Sequence, residues 1–339
     1  MDFDLTDEQK EIKRVARELL AARSPWAKVR EAAEARAYDD ALWGELVALG
    51  WSGIAVAQRH GGQELGAVEL AVLAEELGYA CAATPLLATA VAAAAIQKAG
   101  TAEQQARWLP GLAGGTLRGA IATRELAADA AGADVVVLID GDDAQLLAAP
   151  GAVPLETIDP TRRYALVEGD GQPLAGAAPG LVRAVLAAEV LGVCQRALEL
   201  TLEYVKHRKQ FGVPVGSFQA VAHRCAQMLL ATESIRSAAY FAAWAADADP
   251  ARLAEAGALA AAAAADGGRE VTAGAIQAHG GIGFTWEAEI HWLYKRAQLD
   301  AALLGSAHRH RLALARAAAS RLAIAVPRVS VVAEGYTDR

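Results

Sequence analysis

The chain has few of the side chains that build disulfide frameworks or metal sites. It contains three Cys, two Met and five Phe among 339 residues. Cys81, Cys194 and Cys225 are odd in number and lack the spacing of metal ligands, so neither a disulfide framework nor a metal site is expected. We expect these thiols to be reduced and buried, in a cytoplasmic protein.

Positive charge and long apolar runs are also scarce. Lys and Arg number 32 against 40 Asp and Glu, a net charge of −8, and no basic tract stands out. A nucleic-acid partner is therefore not expected. No apolar stretch could span a bilayer without a charge or glycine interrupting it, and the acidic start MDFDLTDE lacks the layout of a secretory signal. We expect no membrane partner.

What the chain does contain is apolar sequence dominated by alanine and leucine. Hydrophobic residues make up 54% of the sequence, which excludes a disordered protein. With so many alanines and so few Phe and Met, we expect helices that pack closely through small side chains. A chain of this length can form two or three structural units.

Helical periodicity fills both ends of the sequence, and a short β-like segment separates them. We predict a mainly α fold with an N-terminal helical domain (1–119), a reduced β domain (120–178), a C-terminal four-helix bundle (179–326) and a tail (327–339). Thr6 and Thr101 are the predicted N-caps of two helices. The predicted helices cover 5–23, 39–49, 67–78, 83–99, a segment opening at 101, 179–207, 218–247, 251–279 and 286–324.

The β segment contains one strong hairpin signal. Asp140-Gly141-Asp142-Asp143 lies between the apolar runs 133–139 and 144–148. A further strand and turn are predicted at 164–171. The segment has room for a few strands, which is marginal for an independently stable ligand-binding domain.

Two polar and glycine-rich motifs interrupt the helical sequence. Arg208-Lys209-Gln210-Phe211-Gly212 follows one long helix, and Gln277-Ala278-His279-Gly280-Gly281-Ile282-Gly283 ends another. A guanidinium matches phosphate oxygens, and paired glycines let backbone N–H groups approach a ligand closely. Arg208 alone is also compatible with a solvated helix-end charge, and Gly280-Gly281 alone with a helix stop. Together the motifs favour a site for an anionic, aromatic ligand.

The layout and motifs resemble the acyl-CoA dehydrogenases, flavoenzymes that oxidise an acyl-CoA thioester to its 2,3-enoyl form. The resemblance extends over nearly the whole chain and includes 49–56, Glu75-Glu76-Leu77-Gly78 and 100–112. It implies that FAD lies between two subunits, with Arg208 on the diphosphate and Gln210 and Phe211 on the adenosine side. The implied cofactor-binding residues are Arg208, Gln210, Phe211, Val215, Gln219, Gln277, Ala278, His279, Gly280 and Gly281.

The sequence departs from this family at the catalytic base. The family removes a proton beside the thioester carbonyl with a glutamate, found at one of two positions in the chain. The matching residues here are Leu304 and Val182, which are both apolar. Glu189 is a weak substitute because it lies seven residues from Val182, about 10 Å along a helix. Glu287 and Glu289 are expected to face solvent or to cap the next helix.

The β segment departs from the family as well. Thr123-Arg124-Glu125-Leu126 begins like the family's flavin-contacting segment but lacks its glycine-serine continuation. No tryptophan lies between Trp108 and Trp244, so the aromatic residue that faces the flavin ring is missing. The segment is not expected to hold a flavin ring and an acyl-CoA by itself.

The chain therefore resembles the small, non-catalytic subunit of actinobacterial α2β2 acyl-CoA dehydrogenases that degrade steroid side chains. The resemblance implies a larger catalytic partner subunit that binds most of the acyl-CoA, an FAD shared with it, and electron-transfer flavoprotein as acceptor. Two alternatives stay open: a self-sufficient homo-oligomer that uses an unusual base such as Glu189, and a scaffold that contacts no flavin.

Overall fold

The computed structural model describes residues 4–322, in which two helical regions flank a small sheet. The helices are α1 Asp7–Arg23, α2 Trp26–Ala35, α3 Asp40–Ala48, α4 Ala67–Tyr79, α5 Leu86–Ala99, α6 Ala102–Ala113, α7 Ala178–His207, α8 Gln219–Ala248, α9 Leu253–His279, α10 Ile290–Leu304 and α11 Ala307–Arg321. The strands are β1 Gly119–Ala122, β2 Ala127–Ala128, β3 Val135–Asp140, β4 Asp143–Ala148, β5 Gly151–Pro154, β6 Tyr164–Glu168, β7 Gly171–Leu174, β8 Lys209–Gln210 and β9 Val213–Pro214. The mainly α class is confirmed.

Both predicted N-caps are confirmed. The Thr6 hydroxyl accepts the N–H of Gln9, and the Gln9 side chain accepts the N–H of Thr6, which completes a capping box. Thr101 and Gln104 form the same arrangement at the start of α6. Each box satisfies backbone donors that the first helical turn leaves without partners.

Small residues let the long helices approach each other closely. A Cβ at Gly192 of α7 would overlap the carbonyl oxygen of Glu75 in α4, and one at Gly78 would overlap that of Glu189. These two helices therefore pack almost backbone to backbone, as the alanine-rich composition indicates. The three cysteines are free and buried, as expected.

The acidic pair in α4 ties the first helix to the rest of the fold. Glu75 accepts hydrogen bonds from Lys13 of α1 at 2.5 Å and from Arg236 of α8 at 2.8 Å. Glu76 pairs with Arg17 of α1. Both carboxylates are at most 1% exposed, so these ion pairs lie inside the helical packing, where the arginine and lysine partners offset the cost of burial.

The sheet has seven strands in the order β5-β6-β2-β1-β3-β4-β7. Its pairs are antiparallel apart from β1 with β3, and the predicted hairpin is present with Asp140 opposite Asp143. The expectation of only a few strands was too low, because β2, β5 and β7 are too short to show an alternating pattern. Thr89 of α5 accepts the N–H of Gly119, which fixes one face of the sheet against the N-terminal helices.

Two helical predictions need correction. No helix was predicted at α2, which has an irregular apolar pattern and lacks a side-chain cap. The single helix predicted over 286–324 is two helices, α10 and α11. The break falls at Gly305, whose φ of 83° a residue with a Cβ adopts at a cost. The tail predicted after Pro327 lies outside the described residues.

Between residues 4 and 322, no helix combines the length and the apolarity needed to cross a membrane.

Candidate functional site

The two motifs singled out in the sequence meet at one cavity of about 610 Å³. The end of α7, the β8–β9 hairpin, the start of α8 and the end of α9 enclose it. Eight predicted site residues line it: Arg208, Gln210, Phe211, Val215, Ala278, His279, Gly280 and Gly281. Tyr204, Phe218, Val221 and Ile282 complete the lining.

The hairpin between β8 and β9 presents an aromatic side chain to the exterior. Gln210 pairs with Val213, so Phe211 and Gly212 form a two-residue turn, with φ values of 52° and 82°. Positive φ at both positions is the geometry of a type I′ turn. A phenylalanine adopts a positive φ at an energetic cost. Phe211 is 93% exposed and meets Phe218 edge to face at 6.3 Å.

Arg208 provides a free positive charge at the cavity. Its backbone N–H ends α7 by donating to Tyr204, while the guanidinium makes no hydrogen bond or salt bridge with residues 4–322. A guanidinium without a carboxylate partner, beside an open cavity, is a fork-shaped donor for phosphate oxygens.

A stacked pair forms a flat wall of the cavity. The rings of Tyr204 and His279 lie 4.5 Å apart with an interplanar angle of 20°. Nδ1 of His279 lies 2.8 Å from the carbonyl oxygen of Ala275, and burial lowers the pKa of the imidazole. The ring is therefore neutral at pH 7, with its proton on Nδ1.

The glycines keep space open at the end of α9. Nothing lies within 4 Å of a Cβ built on Gly280 or Gly281, so packing within this chain does not demand glycine at either position. Gly280 does need it for its φ of 67°. Gly281 therefore leaves space for a ligand in the cavity.

Two predicted residues lie beside the cavity rather than in its lining. Gln277 is exposed in the last turn of α9, and Gln219 is exposed at the first position of α8. Among the residues missed, Tyr204 had the clearest signal, since it lies one helical turn before Arg208 on α7 and therefore on the same face.

The two positions where the family has its base are buried in this chain. Val182 is 2% exposed and Leu304 is 4% exposed. Glu287 is exposed, as expected. Glu289 is the N-cap residue of α10, as one of the two expectations has it, although its side chain makes no capping hydrogen bond.

Glu189 is a structural residue. One of its carboxylate oxygens accepts a hydrogen bond from Arg162 at 3.0 Å, and the other accepts one from Arg296 at 2.9 Å. All three side chains are at most 4% exposed. A buried carboxylate whose two oxygens are both bound by arginines cannot reach the carbon of a substrate. The structure therefore argues against Glu189 as a base.

The rest of this buried cluster links the sheet to the helices. Arg162 also pairs with Asp129 at 2.6 Å, and Arg296 pairs with Asp159 at 2.8 Å. Asp300 lies 3.6 Å from Arg162 and forms no hydrogen bond with residues 4–322. Burial raises the pKa of the Asp300 carboxyl well above its usual range.

Replacing Asp300 with asparagine is expected to flatten the pH dependence of stability. Because the folded pKa of Asp300 lies above the unfolded value, the free energy of unfolding falls as pH rises through that range. Asparagine cannot ionise, so the variant should lose less stability toward alkaline pH, as measured by urea unfolding across pH. Asp170→Asn, in an exposed turn, is the control and should behave like the wild type. Identical pH slopes for Asp300→Asn and wild type would mean that Asp300 is ionised in the folded chain.

Comparison with known proteins agrees with this architecture. The acyl-CoA dehydrogenase N-terminal domain matches residues 6–116, and the acyl-CoA dehydrogenase C-terminal domain matches residues 169–319. Acyl-CoA dehydrogenase IpdE2 of Mycobacterium tuberculosis is 35% identical over 309 residues, which are 88% of this chain and 94% of that protein.

Solved structures show the same fold. A variant of the Tcur3481-Tcur3483 steroid ACAD is 29% identical with a TM-score of 0.83, over 94% of this chain and 99% of that chain. A chain of the ChsE4-ChsE5 complex from Mycobacterium tuberculosis is 24% identical with a TM-score of 0.82, over 94% and 99% of the two chains. The chain therefore belongs to the acyl-CoA dehydrogenase family.

Proposed function

We propose that this chain is the non-catalytic partner subunit of a heteromeric acyl-CoA dehydrogenase and completes the FAD site of a larger, catalytic chain. One observation supports the proposal most strongly. The chain has a cavity suited to a cofactor, but apolar, buried residues stand at both positions where the family has its catalytic base. Arg208 lines that cavity and has no salt-bridge partner among residues 4–322, whereas Val182 and Leu304 lie in the core. The chain has the means to hold a flavin but not to deprotonate an acyl-CoA.

The cavity residues fit the diphosphate and adenosine part of FAD. Arg208 supplies a charge-assisted donor for the diphosphate, and the Tyr204–His279 stack offers a flat face to an aromatic ring. When bound, the flavin accepts the hydride that leaves the substrate. The partner chain would supply the carboxylate base, the domain that faces the flavin ring and most of the acyl-CoA site.

Exposed apolar side chains around the cavity support a protein partner. Phe211, Phe218 and Ile282 line the cavity and are 93%, 38% and 39% exposed. Leu229 and Leu230, further along α8, are 50% and 69% exposed. Large apolar side chains that are exposed around one cavity are typical of a protein interface. A second chain packed here would cover these side chains and close the cavity.

The relatives support a substrate class, which is part of the same proposal. One structural relative is a steroid ACAD and another is a two-protein complex. We assign this chain to an α2β2 assembly that forms the α,β-double bond in a bulky acyl-CoA, such as a steroid side-chain thioester. Electron-transfer flavoprotein is the proposed acceptor, and the cytoplasm the proposed location.

The alternatives are weaker. A self-sufficient enzyme based on Glu189 conflicts with the two arginines that occupy both of its oxygens. A scaffold without flavin contacts leaves the unpaired Arg208 and the open cavity unexplained.

The test is the flavin content of the chain with and without its partner. Purified alone, the chain should contain little FAD and show no dehydrogenase activity. Co-expressed with a larger family member that has the base and a full β domain, it should yield a yellow, active complex. The measurements are the flavin absorbance per chain and the reduction of an artificial electron acceptor. Stoichiometric FAD in the chain alone would contradict the proposal.

A further inference from the structure

A second exposed aromatic surface begins two residues beyond the cavity. Phe284 and Trp286, in the turn before α10, are 81% and 66% exposed. Ile282, in the same stretch of chain, lines the cavity. We call the surface formed by Phe284, Trp286, His291, Trp292, Lys295 and Arg30 the Trp286 patch.

The rings of the Trp286 patch pack against one another. Trp286 meets the His291 ring edge to face, with centroids 4.8 Å apart, and lies 5.7 Å from Trp292. The His291 and Trp292 rings are 4.4 Å apart. The exposed indole of Trp286 thus covers two buried polar aromatic rings, which are 7% and 2% exposed.

The covered rings have unmet hydrogen-bonding groups. Nε1 of Trp292 and both ring nitrogens of His291 are buried, and none has a partner in the described part of the chain. A buried donor without an acceptor costs free energy. Burial lowers the pKa of His291 to about 4, so the ring is neutral at pH 7. The patch therefore has an uncharged floor with two N–H donors and one acceptor nitrogen that lack partners among the described residues.

The positive charges of the Trp286 patch are also unpaired. The ammonium of Lys295 lies 4.1 Å from the ring centroid of Trp286 and 4.9 Å from that of Trp292. Arg30 donates to the backbone carbonyl of Trp286 at 3.1 Å. Neither cation forms a salt bridge with a side chain of residues 4–322. In a chain of net charge −8, two cations without a salt bridge among the described residues lie beside the exposed Trp286.

We propose that the Trp286 patch binds an acidic, apolar segment of the catalytic partner chain. The inference rests on the proposed function, because it takes that partner as the occupant. Continuity with the cavity through Ile282 places the patch on the side that the partner would cover. Charge complementarity selects a carboxylate-bearing segment, because neither Lys295 nor Arg30 forms a salt bridge within residues 4–322.

An apolar occupant explains the exposed rings. Tryptophan and arginine are the residues that contribute most to protein interfaces, and burying Phe284 and Trp286 removes large apolar surface from water. A shift of the Trp286 indole on binding would open Nε1 of Trp292 to an acceptor on the partner. The complex would then satisfy one of the three ring nitrogens that lack partners in the described residues.

The test measures the dissociation constant of the two chains by surface plasmon resonance. Phe284→Ala and Trp286→Ala should each weaken the complex by about tenfold or more, and Trp286→Phe should weaken it less. Val153→Ala, which truncates a side chain 59% exposed on β5, is the matched control and should change the constant by less than about threefold. Lys295→Gln should weaken binding at low salt and have less effect at high salt. Thermal unfolding of each variant identifies any loss of fold.

The outcomes separate this inference from the proposed function. Saturated complexes of the patch variants should keep their FAD, because the patch lies outside the cavity. Unchanged dissociation constants in a flavin-loaded complex would overturn the inference and leave the proposed function standing. If the wild-type chains do not associate at all, the proposed function fails. If millimolar inorganic phosphate quenches Trp286 fluorescence in the lone chain and displaces the partner, the patch is an anion site and the inference is wrong.

Discussion

Replacing Glu189 with alanine is expected to destabilise the fold by about 3–5 kcal/mol, the cost of removing one partner from a buried ion pair. Glu189 satisfies Arg162 and Arg296 at once, so its loss leaves two buried guanidinium groups facing each other without their shared anion. Because folded domains are stable by only about 5–15 kcal/mol, much of the chain should be unfolded or insoluble at growth temperature. The measurement is urea unfolding of the purified chain.

Two further variants serve as controls for Glu189→Ala, one at an exposed glutamate and one that keeps the shape of the side chain. Glu203→Ala changes an exposed glutamate on the same helix, whose salt bridge is with the exposed His207, and should cost less than about 1 kcal/mol. Glu189→Gln keeps the shape but loses the charge, and should destabilise less than alanine. A Glu189→Gln complex with full stability and flavin but no turnover would revive Glu189 as a base.

The long helices and the hairpin could be predicted because their signals are local. Thr6 and Gln9 predict the start of a helix from a segment of four residues. Asp140–Asp143 predicts a chain reversal between two apolar runs. Local patterns failed where the elements are short. Strands such as β2 have two residues, and their pairing depends on distant neighbours rather than on alternation.

The cavity could be placed from the sequence only through resemblance. Arg208 and His279 are 71 positions apart, and nothing in the spacing of the two motifs requires them to meet. The Phe211-Gly212 turn could be predicted from neighbouring residues alone, since a two-residue reversal ending in glycine favours positive φ at both positions. Gln277 and Gln219 lie beside the cavity because of the helix face on which each residue falls. Sequence patterns predict that face poorly.

The Glu189 cluster was beyond sequence reasoning. Arg162 and Glu189 are 27 positions apart, and Arg296 and Glu189 are 107 apart. A buried ion pair has no sequence signature, because each member alone looks like an ordinary surface charge. The same argument applies to Asp300, whose raised pKa comes first from burial and then from the charge of Glu189, 111 positions away.

In the reconstituted complex, Arg208→Ala is expected to raise the dissociation constant of FAD by roughly 10–100-fold. A hydrogen bond to a charged group contributes about 1.5–3 kcal/mol, and each 1.4 kcal/mol corresponds to about a factor of ten. The guanidinium of Arg208 has no competing carboxylate among the described residues, so little of its interaction with a diphosphate would be offset. Equilibrium dialysis followed by flavin fluorescence measures the constant.

Two comparisons distinguish a diphosphate contact from a general effect of positive charge. Arg208→Lys keeps the charge but loses the planar fork and should fall between the wild type and alanine. Lys209→Ala removes the adjacent exposed cation, which does not line the cavity, and should leave FAD binding within about threefold of the wild type. Gel filtration must show that every complex is intact, so that a loss of flavin cannot be due to dissociation of the two chains. Equal effects of Arg208→Ala and Lys209→Ala on the dissociation constant of FAD would mean that this chain attracts the flavin only through its overall charge. A direct contact between the Arg208 guanidinium and the diphosphate predicts a large effect at Arg208 and a small one at Lys209, because only Arg208 lines the cavity.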